Sequence, residues 1–249
     1  MNAVGLNRLS KTFTKEVTWG DIFRFRFRRV ETPALNGVTA SFRQGTITGI
    51  AGRNGSGKTT LLKVISALIF PNTGSCSVFG LDTVKESGRI RGMCGFSFGE
   101  ERSWFLRLSG LENLIFFASL YGIGRKEAAE RSIPLLRRLE MDDLSARPVL
   151  AYSSGMKQRL SIARALICRP RLLLLDEITK GLDPGFQHKI FDLLEDETAK
   201  TGITVVLASH NLSELRICSE IFLLEEGGIV CSGDFASVKP EMDRIFYRQ

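Results

Sequence analysis

Residues 52 to 59 read GRNGSGKT and run on into Thr60. They satisfy the phosphate-loop pattern G-x-x-x-x-G-K-[ST] at every fixed position. Thr46-Ile47-Thr48-Gly49-Ile50-Ala51, just before it, is a β-branched run that predicts a buried strand. Leu61 to Leu68, just after it, carries apolar residues at helical spacing. Strand, glycine loop and helix is the context the motif needs, and it makes this an α/β chain. The residue types follow from the chemistry. Gly52, Gly55 and Gly57 let the backbone take positive φ and bring the amides of the loop, those of Arg53, Asn54 and Ser56 included, close to a polyphosphate. A helix beginning near Lys58 aims its dipole and free N–H groups at the same anion. Lys58 can reach the β- and γ-phosphates, and the Thr59 hydroxyl can ligate Mg²⁺. The stretch therefore predicts binding of a nucleoside triphosphate.

At 249 residues the chain suits one α/β domain with room for a subdomain. Its net charge of +7 fits three surroundings: nucleic acid, an anionic membrane surface, or bound phosphate. The five cysteines are far apart with no C-x-x-C, so neither a zinc site nor a disulfide framework is expected and a reducing compartment fits best. No signal peptide opens the chain, and no apolar run approaches the ~20 residues of a membrane span. If the protein serves a membrane, another chain crosses it.

In chain order, Val4 to Phe13 predicts an edge strand. Thr14 to Pro33 holds Trp19 and then Phe23-Arg24-Phe25-Arg26-Phe27-Arg28-Arg29, a ring–cation alternation with the period of a strand. Two readings stay open: a hairpin whose arginines are merely solvated, or a basic aromatic surface beside lipid headgroups or a membrane partner. Short strands are expected near Ser75 to Phe79 and Cys94 to Phe98, with a turn at Gly80. From Ser109 to Met141 the spacing turns helical, with Leu111, Leu114, Ile115, Ala118 and Tyr121 on one face and a break at Gly122 and Gly124. In YSSGMKQRL, residues 152 to 160, Ser153 and Ser154 are suited to cap a helix running from about Met156 to Cys168.

Arg171-Leu172-Leu173-Leu174-Leu175-Asp176-Glu177 reads as a buried parallel strand ending in two carboxylates. Beside a phosphate loop, the first can hold Mg²⁺ and the second can orient and deprotonate an attacking water. Asp183 before Pro184 is a helix cap followed by a good first residue. His210 stands at the end of the strand Thr204 to Ser209. A lone histidine is usually structural, but that position faces the ligand side of an α/β sheet.

The order of phosphate loop, helical insert, YSSGMKQR, LLLLDE, GLD and SH resembles the nucleotide-binding subunit of ABC transporters over essentially the whole chain. The resemblance implies a RecA-like phosphate-loop NTPase core, about residues 1–95 and 160–249, with an antiparallel β subdomain, and a helical subdomain over about 96–159. It implies two subunits sandwiching two ATP molecules head to tail: a second copy or a paralogous ATPase chain. It also implies membrane-spanning permease partners, a place on the cytoplasmic face of the cell membrane, and no nucleic acid. Residue by residue, Gly52 to Thr60 would hold the phosphates and Mg²⁺, with Lys58 on the reacting phosphate. Asp176 would be a Mg²⁺ carboxylate, Glu177 the general base and His210 the sensor of the γ-phosphate. Ser153, Ser154, Gly155 and Met156 match the signature that contacts ATP on the opposite subunit, and Asp183 matches the loop coupling the two sites. Phe13 is the first candidate to stack on adenine, with Trp19, Phe23 and Phe25 as alternatives.

The chain departs from the family pattern in three places. Where a glutamine usually contacts Mg²⁺ it reads Gly99-Glu100-Glu101-Arg102, so Glu100, or else Glu101, takes that place, an acceptor that cannot donate. The signature has Ser154 for glycine and Met156 for glutamine. Ile178 follows the DE pair where proline is usual. YSSGM with DEIT is similar to the branch whose separate permeases export polysaccharides, lipids or drugs. The competing function is a soluble ABC ATPase acting on ribosomes or nucleic acid, which commonly carries two ATPase halves or a long coiled-coil insertion.

Overall fold

The computed structural model describes residues 1–15, 30–98 and 104–247. Of the hairpin expected over Thr14 to Pro33, residues 16–29 with Trp19, Phe23 and Phe25 lie outside them, as do Glu100 and Glu101.

The chain opens with β1 (Asn2–Lys15) and β2 (Val30–Arg43), an antiparallel pair. Strand β3 (Ile47–Ala51) delivers the glycine loop and α1 (Lys58–Ile65) leaves it. Next come β4 (Thr73–Val78), β5 (Leu81–Asp82), α2 (Ser87–Met93) and β6 (Cys94–Ser97). Two helices follow, α3 (Gly110–Ser119) and α4 (Arg125–Arg138), then α5 (Ser154–Leu166) and β7 (Leu172–Asp176). The last part holds α6 (Pro184–Thr201), β8 (Thr204–Ser209), the single turn α7 (Leu212–Leu215), β9 (Glu220–Glu225), β10 (Gly228–Gly233) and α8 (Phe235–Phe246).

Two sheets result. One is antiparallel, in the order β2-β1-β4-β5; the other has the order β10-β9-β3-β8-β7-β6 and is parallel except for the β9–β10 hairpin. The expectation that residues 4 to 13 form an edge strand is therefore corrected. Strand β1 is hydrogen-bonded on both sides, to β2 and to β4. The outer place belongs to β2, where Pro33 has no N–H to give to a further strand.

The run Leu172 to Leu175 shows why the parallel sheet is so apolar. Leu172 and Leu174 face one core with Ile50, Val206, Ala208 and Phe222; there the antiparallel sheet contributes Val4, Leu6 and Phe42, and α1 contributes Leu61, Leu62 and Ile65. Leu173 and Leu175 face the other core with Val205, Leu207 and Leu223, under α5, α6, α8 and the α3–α4 pair. A strand covered on both faces needs apolar residues at every position. Each fully buried leucine contributes roughly 1.5–3 kcal/mol.

Register then places the site. Ala51 pairs with Ser209, and Ala208 pairs with Asp176. The carboxyl ends of β3, β8 and β7 lie side by side, so the glycine loop, His210 and the two carboxylates emerge at one edge. Helix α5 begins at Ser154 with Ser153 as its N-cap, so Ser154 is a first-turn residue rather than a cap, and the helix ends at Leu166.

Candidate nucleotide site

Gly57 shows what the glycine loop needs. It is the N-cap of α1 at φ +106°, a left-handed conformation, and a Cβ there would lie 2.3 Å from the carbonyl oxygen of Ala34. Lys58 folds back over the loop. Its Nζ donates to the carbonyls of Gly52 at 2.7 Å and Arg53 at 3.1 Å, and the residue is only 5% exposed. Burial pushes its ammonium below the usual lysine range, while Asp176 and Glu177 pull it back up.

Across the loop, Thr59 Oγ1 donates to Asp176 Oδ2 at 2.5 Å. Burial pushes the Asp176 carboxyl above its ordinary value, the Thr59 hydrogen bond works against that rise, and neighbouring Glu177 adds to it. Glu177 sits at φ +51°, an uncommon conformation for a side-chain-bearing residue that costs of order 1–3 kcal/mol. Its N–H donates to the Ala208 carbonyl at 2.9 Å, and its Oε1 lies 2.8 Å from His210 Nδ1. Backbone strain, two carboxylates and a histidine thus converge where the phosphate loop ends.

A cleft of about 510 Å³ opens over these groups, a size suited to a small-molecule ligand. Asn54, Gly55, Gly57 to Thr60, Asp176 and Glu177 line it. Its other walls were not legible beforehand: Thr32 to Ala34 from β2, together with Lys63, Phe98 and Lys180. Phe13 is not part of the lining. It is 44% exposed on β1, directly opposite Thr32 in the register, so its ring stands on the same face as a lining residue. The Lys11 ammonium lies 5.4 Å from that ring. Arg53 and His210 border a second opening, against Phe246 and Tyr247 of the C-terminal helix. Ser56 is buried beneath the loop.

The YSSGM segment stands apart from this cleft. Ser153 caps α5: its Oγ accepts from the Met156 N–H at 3.2 Å, and its own N–H reaches Met156 Sδ at 3.4 Å. A thioether, a weak acceptor, occupies the place a glutamine or glutamate takes in an ordinary capping box. Gly155 packs against the loop after β7, where a Cβ would come within 2.9 Å of the Gly181 carbonyl oxygen. Asp183 caps α6 by accepting from the Phe186 N–H at 3.0 Å. Arg159 links the two helices, lying 3.8 Å from Asp183 and 3.4 Å from the Phe186 ring centre. Ser153, Ser154, Gly155, Met156 and Asp183 thus lie together around an exposed helix N-terminus, and none of them lines the cleft of their own chain.

The family profile described as "ABC transporter" matches residues 35–180. The ABC transporter ATP-binding protein NatA of Bacillus subtilis (strain 168) is 34% identical over 86% of this chain and 87% of its own length. The daunorubicin resistance ATP-binding protein DrrA3 of Streptomyces coeruleorubidus is 35% identical, over 85% of this chain and 67% of that protein. Among solved structures, the ATP-binding cassette MJ0796, a dimer in a post-hydrolysis state bound to ADP and Pi, superposes with a TM-score of 0.82 at 26% identity, covering 93% of this chain and 98% of that one.

Proposed function

Because the chain belongs to the ABC transporter family of ATP-binding subunits, and is an ATPase of the RecA-like cassette fold, we propose that its hydrolysis of ATP powers export of a drug-like, lipid or polysaccharide substrate through a separate membrane permease. The single observation that carries the hydrolytic part is the meeting of Lys58, Thr59, Asp176, Glu177 and His210 at one sheet edge. The drug-resistance names of relatives such as DrrA3 support the exporter part.

In this reading Lys58 and the loop amides of Gly52 to Thr60 hold the β- and γ-phosphates. Glu177 takes a proton from water as that water attacks the γ-phosphorus and the bond to the β–γ bridging oxygen breaks, leaving ADP and phosphate. His210 donates through Nδ1–H to the Glu177 carboxylate and through Nε2–H to the γ-phosphate. The hydroxyl of Thr59 and the carboxylate of Asp176 form a pair of hard oxygen donors that fits Mg²⁺. When bound, that ion supplies neutralisation of the charge on the phosphates. Thr32 to Ala34 flank the base of the nucleotide, and Phe13 stands beside them to stack on adenine.

A second copy completes the site. The exposed α5 N-terminus is an anion-binding element that does not line the cleft of its own chain. Ser153 to Met156 of one copy would meet the γ-phosphate held by the other, with Asp183 reporting between them, and the dimeric MJ0796 cassette supports that arrangement. The permease is expected around α3, where Phe116 of the helix and the flanking Phe105, Leu106, Leu120 and Leu150 are exposed. Phe105 and Phe116 pack edge to face with ring centres 4.5 Å apart, a cluster of a kind that marks contact surfaces. No helix among the described residues is long and apolar enough to cross a membrane, so docking there would hold the chain at the cytoplasmic face.

Purification of the tagged chain from detergent-solubilised membranes tests this. Recovery with a multi-span protein whose presence changes the ATPase rate supports the proposal. Recovery with ribosomal RNA or DNA and no membrane protein contradicts it.

A further inference from the structure

Glu214 is 1% exposed, an acid in the interior of the fold that the hydrolytic chemistry above does not use. Burying a carboxyl costs several kcal/mol unless its oxygens are well bonded. Its two hydrogen bonds of ordinary geometry run to Thr179. Oε1 accepts from the Thr179 backbone N–H at 2.9 Å and also from the Thr179 hydroxyl. Among the described residues, Oε2 has no hydrogen-bond partner of ordinary geometry. Burial pushes the Glu214 carboxyl up from its ordinary value; the bonds from Thr179 and the Ser209 hydroxyl work against that, and the Glu177 charge adds to the rise.

The placement of those bonds gives them meaning. Thr179 stands two residues after Glu177, and Glu214 stands four after His210. Glu177–His210 and Thr179–Glu214 are therefore two rungs between the same pair of segments, the loop leaving β7 and the one leaving β8. The Thr179 turn carries more than Glu177. The Lys180 N–H donates to the Glu177 carbonyl, the Leu182 N–H donates to the Thr179 carbonyl, and the Gly181 carbonyl packs on Gly155 at the head of α5. An apolar side chain at 214 would fill the space at lower electrostatic cost. Only an acceptor, however, holds both Thr179 donors in one position.

We propose that Glu214 is a positioning residue for ATP hydrolysis: it pins the Thr179 turn so that Glu177 meets His210 and the Gly181–Asp183 segment is presented to α5 at a fixed spacing. The proposal rests on the reading of Glu177 as the general base. Glu214 does not line the nucleotide cleft and acts through Thr179.

The test is steady-state ATPase of the full-length chain with Glu214→Ala, Glu214→Gln and Thr179→Val, alongside Glu177→Gln and a thermal melt of each. A misplacement of ~1 Å at a reacting group costs ~10²-fold, so Glu214→Ala is expected to lower kcat by about 10- to 100-fold while the KM for ATP stays close to wild type. Glu214→Gln keeps an oxygen for Thr179 and should restore most of kcat. Thr179→Val, which removes one donor and keeps the shape, should lower kcat by less than Glu214→Ala and serves if the alanine variant does not fold. With Glu177→Gln inactive, wild-type kcat in both Glu214→Ala and Thr179→Val would overturn the proposal. So would a loss that only follows the melting temperature, or one that Glu214→Gln fails to relieve. Wild-type turnover in Glu177→Gln would instead remove the base assignment on which the proposal stands.

Discussion

His210 Nδ1 lies 2.8 Å from Oε1 of Glu177, joining the ends of two adjacent parallel strands. A carboxylate only accepts hydrogen bonds, so Nδ1 carries a hydrogen, and Nε2 can bond a phosphate oxygen, itself an acceptor, only as a second N–H. The φ of +51° at Glu177 turns the side chain out of the sheet plane toward the histidine instead of continuing the strand. The contact is thus built by backbone strain at one end and strand register at the other.

Removing the ring should therefore harm chemistry more than binding. His210→Ala is expected to lower kcat by ~10²-fold or more, within the range attributed to positioned acid–base groups. Binding of a fluorescent ATP analogue should stay near wild type, because Lys58 and the loop amides are untouched. An equal loss in both measurements would show that His210 serves folding and not turnover.

A composite site makes a distinctive statement about mixtures. A Lys58→Ala chain and a Ser153→Ala chain should each be inactive alone. A mixed dimer has one site with both groups intact, so mixing the two proteins should restore part of the activity. Mixed dimers demonstrated by tag exchange yet still inactive would count against Ser153 acting on its partner's nucleotide.

Much of this arrangement was legible in the residues, and the exceptions have a common cause. GRNGSGKT, the four leucines before Asp176 and Asp183-Pro184 announce local structure, and β3, β7 and the start of α6 stand where those patterns place them. What could not be read depends on contacts between distant segments. The flanks of Val4 to Phe13 do not reveal that β4 closes its second side. Phe98 and Thr32 to Ala34 line the cleft only because two sheets meet there. Helix α2, SGRIRGM, is hidden by two glycines. Glu214 looks like any acid in a first helical turn; only packing reveals that it is enclosed.

The raised carboxyl of Asp176 implies a stability cost. An acid whose folded pKa exceeds its unfolded value binds more protons when folded, so stability falls as pH rises from the unfolded value, near 3.8, through the folded one. Asp176→Asn removes that charge and keeps an acceptor for Thr59. It is expected to raise the melting temperature of the nucleotide-free chain at pH 7 by a few degrees, while abolishing Mg²⁺-dependent hydrolysis. It should also flatten the decline in stability above pH 4, though not fully, because Glu214 is raised in the same direction. A lower melting temperature at neutral pH would contradict this balance.

The exposed cluster around α3 should matter only when a membrane partner is present. Phe105→Ser with Phe116→Ser and Leu120→Ser is expected to leave the ATPase of the isolated chain within about twofold of wild type, as surface changes usually do. Sedimentation with membranes that contain the permease should fall. Unchanged association would move the docking surface elsewhere.

Glu177→Gln tests the central claim most directly. It keeps the shape and the hydrogen bond to His210 but removes the base, so hydrolysis should fall by ~10²–10⁴-fold with ATP affinity retained. Because closure would no longer be reversed by hydrolysis, light scattering with ATP should show a stable dimer of about twice the 27.7 kDa of one chain. Turnover at the wild-type rate, with no dimer in ATP, would contradict both the role of Glu177 and the shared site.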